Sequence, residues 1–257
     1  MAPRSIWNGA VSFAGVDVPV KVFGATDAQN VQFRELHEPD GAEIKHELVD
    51  ADGHKVDRRQ VVKGFEVRSE EYVVLDDDEL KAAAAPKRKT VEIEHFVPRD
   101  QIDPDVYDRP YYLAPQDGGE EGYAVLAAAL RRSERVGIGR VVLRSREQLV
   151  AVVEADRMLR LHTMRFADEL VDASKLDRPP LRRKPDARLR KMAARLVDGL
   201  SATFRPARYK NTYRRRVLEL VKRKAKGEEI DVEAAAPPEP SDDLMGALEA
   251  SLKGAKR

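Results

Sequence analysis

Residues 5–23 read SIWNGAVSFAGVDVPVKVF, and two runs of alternating side chains fill this stretch. In the first, Trp7, Val11 and Phe13 fall on one face by the period of two that a strand imposes. In the second, Val18, Val20 and Val22 fall together. Two short, half-apolar strands in succession set the pattern that the following 140 or so residues continue.

Working outward, EIKHEL (43–48) sets Ile44, His46 and Leu48 against Glu43, Lys45 and Glu47. DADGHKV follows, and Asp52-Gly53 in it reads as a type I′ hairpin pair, since both residues tolerate positive φ. QVVKGFEV returns with Val61, Phe65 and Val67. EYVVL, TVEIEHFV, PYYLA, GRVVLR, QLVAVVEA and RMLRLHTMRF repeat the alternation. Many short strands with frequent turn signals predict a closed antiparallel barrel or a sandwich. One helix interrupts them: GYAVLAAALRRSE (122–134) spaces Tyr123, Leu126, Ala127 and Leu130 along one helical face.

Beyond about residue 180 the period changes to that of a helix. DARLRKMAARLVDGLSATF places Leu189, Met192, Ala193, Leu196, Val197 and Leu200 on one face, with Asp186 as N-cap and Pro206 past the end. NTYRRRVLELVKRKAKG turns Tyr213, Val217, Leu220 and Val221 inward and stops at Gly227. Such apolar stripes need a partner surface. EEIDVEAAAPPEP reads as an acidic linker, and SDDLMGALEASLKG, from Ser241, as a short final helix with Leu244, Leu248 and Leu252 in a narrow strip.

The charge is unevenly distributed. The formal net charge of the 257 residues is only +1. Residues 178–227 nonetheless carry about 18 Lys and Arg against 3 Asp and Glu, and residues 228–257 about 3 against 8. Residues 1–177 are left near −9. An arm this basic points to a polyanion. The chain has no cysteine, which excludes a disulfide scaffold, a Cys-ligated zinc site, an iron–sulfur cluster and a thiol nucleophile. The N-terminus has no signal-peptide run, and no window reaches the roughly 18 apolar residues of a membrane span. The expectation is a cytoplasmic, nucleoid-associated protein without membrane contact.

No catalytic constellation stands out, and neither a cofactor nor a metal site is expected. The five histidines, His37, His46, His54, His95 and His162, lack metal-ligand spacing. His46 and His95 read as partly buried strand residues. DADGHKVD lacks the order of a calcium loop and reads as a turn. DDDEL (76–80) reads as an exposed acidic turn. There is no phosphate loop, and VGIGR lacks the rest of a dinucleotide fingerprint.

The opening, extended to RSIWNGAVSFAGVDVPVKVF, resembles the start of bacterial Ku, the DNA-end-binding family of non-homologous end joining. The similarity continues through LHEPDGAEI, VVKGFEVRSEEYVVLDDDEL, IDPDVYDRPYYLAP and AVLAAALRRSERVGIGRVVLRSREQLV. It extends to FRPARYKNTYRRRVLELVKRKAKG and the C-terminal DLMGALEASL, so it is collinear over nearly the whole chain. FAGVDVPV stands where the family usually has Phe-Gly-Leu-Val before VPV. Some members carry a CxxC near the hairpin; VDADGHKVD here excludes that zinc-stabilised variant.

The resemblance implies a mainly β protein with α. Its core would be a seven-stranded antiparallel Ku-type β-barrel with a β-hairpin bridge (residues 1–177). A basic helical arm (178–227) and an acidic linker with a short partner-binding helix (228–257) would follow. It implies a non-enzymatic homodimeric ring that threads double-stranded DNA ends and recruits ligase D. Because an end has arbitrary sequence, phosphate contacts are expected rather than base readout. By parity Arg140, Arg144 and Arg146 share one face of GRVVLRSRE, and the hairpin region offers Lys45, His54, Lys55, Arg58, Arg59 and Lys63. Arg214 and Arg215 of the arm join them as expected DNA contacts, with Leu244, Leu248 and Leu252 as partner anchors. Two other readings stay open: a general architectural nucleic-acid-binding protein, and a lyase at abasic sites using a desolvated Lys such as Lys45 or Lys63.

Overall fold

The computed structural model describes residues 3–83, 89–144, 146–177, 186–228 and Gly246. Along the chain run β1 (Trp7–Phe13), β2 (Val16–Gly24), β3 (Lys63–Arg68), β4 (Glu71–Leu75), α1 (Asp77–Ala83), β5 (Thr90–Pro98) and β6 (Tyr107–Pro115). They are followed by α2 (Glu120–Ser133), β7 (Arg135–Leu143), β8 (Arg146–Ala155), β9 (Met158–Met164), α3 (Ala187–Leu200) and α4 (Thr212–Ala225). The chain divides into two units, Met1–Gln29 with Arg34–Lys175, and Asn30–Phe33 with Leu176–Arg257.

In the first unit seven strands close a barrel in the order β1-β2-β6-β9-β8-β7-β5. The closed barrel matches the expectation, and its strands are antiparallel except at one pairing. β1 and β5 close it in parallel, with Ala10 opposite Thr90 and Val11 opposite Val91. Closure abolishes the sheet's free edges. β1 and β2 turn through Ala14 (φ 47°) and Gly15 (φ 83°), and β8 and β9 through Asp156 (φ 54°) and Arg157 (φ 63°). Two consecutive positive φ values match the right-handed twist of the flanking strands.

The alternation seen in residues 5–23 is realised as burial. Val11, Val18, Val20 and Val22 are fully buried with Val91, Leu113, Val150, Val152, Leu159 and Leu161. Leu126, Ala127 and Leu130 of α2 join this cluster. Each buried Val or Leu side chain contributes about 1.5–3 kcal/mol relative to exposure. A second cluster, Val136, Ala151, Val153 and Met164, lies on the other side of the wall under Ile102, Val106 and Tyr107. β8 is therefore buried on both faces from Val150 to Glu154, which is why QLVAVVEA reads as a continuous apolar run. β5 carries a bulge between Ile93 and His95. There Gly139 of β7 approaches so closely that a Cβ would lie 1.9 Å from the Glu92 carbonyl oxygen. Tyr123 ties α2 to the wall: its hydroxyl donates to Leu113 O (2.7 Å) and accepts from Leu159 N (2.8 Å).

Residues 43–48 form no strand. They lie between two isolated bridges, Leu36↔Glu43 and Val49↔Lys55. Ile44 and Leu48 are exposed and give the segment no apolar face to bury. The turn after it spans Asp50–Gly53, and only Gly53 has positive φ (85°), so it is not type I′. His46 and His95 are exposed, contrary to expectation; His46 pairs with Glu35 at 2.9 Å. DDDEL does more than turn the chain. Asp76 Oδ1 accepts from the backbone of Asp78 and Glu79, and Glu79 Oε2 accepts from Asp76 N, so these carboxylates cap α1.

In the second unit Asp186 Oδ1 accepts from Arg188 N (2.8 Å) and caps α3, and Asn211 Oδ1 accepts from Arg214 N (2.9 Å) and caps α4. Leu189, Met192, Ala193 and Leu196 are half-buried, but Val197 and Leu200 are exposed. On α4 Tyr213, Leu220 and Val221 are exposed among the described residues rather than inward. Gly227 (φ 78°) ends α4.

Candidate nucleic-acid interface

The cations of the hairpin region fall into two kinds. Lys55 is paired with Glu47, and Lys63, at the start of β3, with Asp77 at 2.9 Å. The Lys63 hydrogen bond holds the Asp77 carboxyl below its usual range. Lys45, Arg58 and Arg59 are exposed and, among the described residues, have no carboxylate partner. Arg58 and Arg59 share one 3₁₀ turn, fixed by Asp57, whose side chain accepts from Arg59 N at 2.9 Å. The Asp57 cap therefore fixes the backbone from which both exposed arginine side chains project. His54 sits near Asp50 and Asp52 on the neighbouring turn, with their ligand-type atoms within 4.8 Å of one another. Asp50 Oδ1 already accepts from the backbone of Asp52 and His54 there. Neither lysine considered for lyase chemistry is desolvated: Lys45 is exposed, and Lys63 is 69% exposed beside its carboxylate.

Arg140, Arg144 and Arg146 do not share a face. GRVVLRSRE is not one strand. β7 ends at Leu143, the chain turns, and Leu143 pairs with Arg146 in β8. Cross-strand partners lie on the same face, so Arg146 belongs with Leu143, while Arg140, three residues earlier in β7, belongs to the opposite face with Leu149 and Glu147. Arg140 is clamped between Glu94 (3.0 Å) and Glu147 (2.9 Å), and these carboxylates raise its already high pKa. Its charge is spent on tying β5, β7 and β8 together. Arg144 (φ 50°) and Arg146 instead flank a cleft at one mouth of the barrel, lined further by Trp7, Arg109, Tyr111 and Gln148. Of these lining residues the sequence reading singled out Trp7 alone, as a strand-face residue. They come from β1, β6 and β8, and no local spacing reports a meeting of distant strands.

On α4, Arg214 is half-buried and Arg215 exposed. Lys222, Arg223 and Lys224 occupy its last turn, where cations complement the helix dipole. The basic arm is thus helical from residue 212 to 225, as its period predicts. Leu244, Leu248 and Leu252 lie outside the described residues. No helix among the described residues is long and apolar enough to cross a membrane.

Residues 12–191 match the family model of the Ku70/Ku80 beta-barrel domain. The chain is 39% identical over 257 residues to the non-homologous end joining protein Ku of Anaeromyxobacter sp. (strain K), covering 99% of this chain and 86% of the relative. It is 35% identical over 252 residues to that of Solibacter usitatus, covering 98% and 94%. It is 33% identical over 258 residues to that of Bacillus subtilis (strain 168), covering 99% and 83%. With a closed seven-stranded barrel of the matching kind and a similarity that runs nearly end to end, this chain belongs to the Ku family of bacterial non-homologous end joining proteins.

Proposed function

We propose that the protein binds the ends of double-stranded DNA without regard to sequence, as a homodimeric ring. We further propose that it delivers those ends to a DNA ligase, ligase D, in double-strand break repair. Its role is binding, in the nucleoid, with the ligation chemistry supplied by the partner. The observation that carries this reading is the contrast between paired and open cations. Arg58 and Arg59 stand exposed on one turn and, among the described residues, their guanidinium groups have no ion-pair partner, whereas Arg140, Lys55 and Lys63 are each paired with carboxylates. Open guanidiniums on turns suit phosphate oxygens, which position a duplex without reading it.

In this reading residues 1–177 form the ring and its bridge, and 178–227 the basic arm. Residues 228–257 tether a helix whose Leu244, Leu248 and Leu252 engage the ligase. A ring needs two copies, and two-fold symmetry lets one patch serve both. The apolar side chains left exposed on β3 and β4 supply such a patch.

Footprinting on linear DNA with open ends, and on the same DNA with hairpin-blocked ends, tests the reading. Protection is expected only where an end is open. With about six to ten phosphates contacted, affinity is expected to fall by roughly 10³–10⁵ between 50 and 200 mM salt. Equal binding to covalently closed circles would replace end recognition with general architectural binding. Deleting residues 228–257 is expected to abolish stimulation of ligation while end protection persists.

A further inference from the structure

The cleft at the barrel mouth is too small for a duplex and differently built from a phosphate track. Its volume is about 290 Å³, the scale of one nucleotide. Trp7, Tyr111 and Leu143 line it and pack inward against the barrel core, so its floor is rigid and partly aromatic. Thr163 is buried at its base. Its Oγ1 accepts from Arg109 N (3.1 Å) and donates to Asp108 Oδ2 (3.3 Å).

The charge at the rim is one-sided. Asp108 is the one carboxylate lining the cleft, and it is engaged: Arg165 Nη2 lies 3.5 Å and Arg109 Nε 3.8 Å from its oxygens. Arg144 lies in the β7–β8 turn, and Arg146 opens β8. Among the described residues neither has a carboxylate partner. Two guanidinium forks a turn apart suit a phosphate group bound through several oxygens. An aromatic floor suits the π-face of a base, whichever base it is. Gln148 adds an amide that can donate or accept at a base or sugar edge.

We propose that this mouth is a site for a single phosphorylated nucleotide, with the phosphate between Arg144 and Arg146 and the base against the wall formed by Trp7 and Tyr111. The nucleotide is either free or the unpaired terminal nucleotide of a DNA end. For the second source the proposal rests on the end-binding reading; for the first it does not. Arg144 and Arg146 are then removed from the duplex track that parity of sequence assigned to them.

Trp7 is the only tryptophan in the chain, so its fluorescence reports on this site alone. The full-length protein is titrated with dTMP, thymidine and inorganic phosphate, exciting on the red edge of indole absorption where the nucleotide does not absorb. Saturable quenching by dTMP is expected. Thymidine and phosphate are expected to act at least about tenfold more weakly, the loss of one charge-assisted or stacking contact set. In the double variant Arg144→Ala/Arg146→Ala the dTMP response is expected to vanish, with an unchanged melting temperature, since both side chains are exposed. Arg140→Ala is expected to keep it.

A duplex with a 5′-phosphorylated overhang, compared with a blunt hairpin-capped duplex, then identifies the source. Quenching by the overhang as well as by dTMP makes the DNA terminus the ligand, and quenching by dTMP alone makes it a free nucleotide. No emission change at millimolar dTMP, an equal response to inorganic phosphate, or an undiminished response in the folded double variant overturns the proposal. Loss of end protection by the wild-type chain, with dTMP quenching intact, overturns the end-binding reading instead.

Discussion

Arg140 and Arg146 stand on opposite faces of one hairpin. Arg140 lies between Glu94 and Glu147, and Arg146 borders the cleft at the barrel mouth beside Trp7. Six residues of sequence separate a cation that is spent from a cation that is open. The difference follows from a two-residue turn, which reverses the count of faces between the two strands. Charge composition alone treats the two as equivalent; pairing decides which can meet a phosphate.

Arg140→Ala is expected to act on the barrel rather than on DNA. It leaves Glu94 and Glu147 facing each other across β7 without their shared partner. The melting temperature is expected to fall by no more than a few degrees, as for an exposed ion-pair network. End affinity, measured by fluorescence anisotropy, is expected to change less than about twofold, because no open cation is lost. Adding Glu94→Gln and Glu147→Gln to the variant is expected to restore the melting temperature. A large loss of affinity at unchanged stability would return Arg140 to the DNA contacts.

Tyr123→Phe removes one oxygen and strands two backbone groups. Leu113 O loses its donor and Leu159 N its acceptor, where α2 meets β6 and β9. An unsatisfied buried polar group costs about 1–3 kcal/mol. The variant is expected to show a lower urea midpoint with an unchanged slope, since the surface exposed on unfolding is the same. An unchanged midpoint would mean that water or a shifted side chain satisfies both groups.

The barrel was legible where its residues alternate, and the site was not. Val18, Val20 and Val22 announce a strand with one dry face, and Tyr123, Leu126, Ala127 and Leu130 announce α2, because both periods are local. Asp186 announces the start of α3 for the same reason. The turn at Arg144 carries no Gly, Asn or Pro, so nothing in RSR marks the place where the strand stops, and parity ran on through it. The parallel closure of β1 on β5 joins Val11 to Val91 across 80 residues, and no local pattern encodes such a contact. EIKHEL failed for another reason: it alternates as a strand does, but among the described residues its Ile44 and Leu48 lie exposed, so the alternation marks no buried face.

His162 gives the barrel a pH dependence of predictable sign. The ring is half-buried on β9 and packs edge-on to Tyr107, with centroids 5.1 Å apart. Burial, then the charges of Arg160 and Arg99, hold its pKa below the ordinary value of 6.5. Below that value the unfolded chain binds a proton that the folded chain refuses, so stability declines as the pH falls. The loss begins near 6.5 and ends once the folded imidazole also titrates. Melting temperatures measured between pH 7.5 and 5.5 are expected to slope downward more steeply for the wild type than for His162→Gln. Parallel slopes would assign the effect to other groups.

The ribbon of β3 and β4 is expected to be the part that needs a second copy. Phe65 pairs with Val73, and on the opposite face Tyr72 and Val74 flank Gly64. Phe65 is 66% exposed and Val74 55% exposed, so both faces of a two-stranded sheet present apolar surface to water. A lone hairpin of this kind is marginal by itself. Burying such side chains against a partner contributes about 1.5–3 kcal/mol each. Two-fold symmetry counts each change twice. Phe65→Lys is therefore expected to cost about 3–6 kcal/mol per dimer, roughly two to four decades in the dissociation constant. Sedimentation equilibrium at micromolar protein is expected to show the wild type at twice the chain mass and the variant at the chain mass. The barrel's melting transition is expected to stay in place, because Phe65 belongs to neither core cluster. End protection is expected to fail with the dimer, since half a ring cannot enclose a duplex. A variant that remains dimeric would move the interface to another surface, and a monomer that still protects ends would remove the ring from the mechanism.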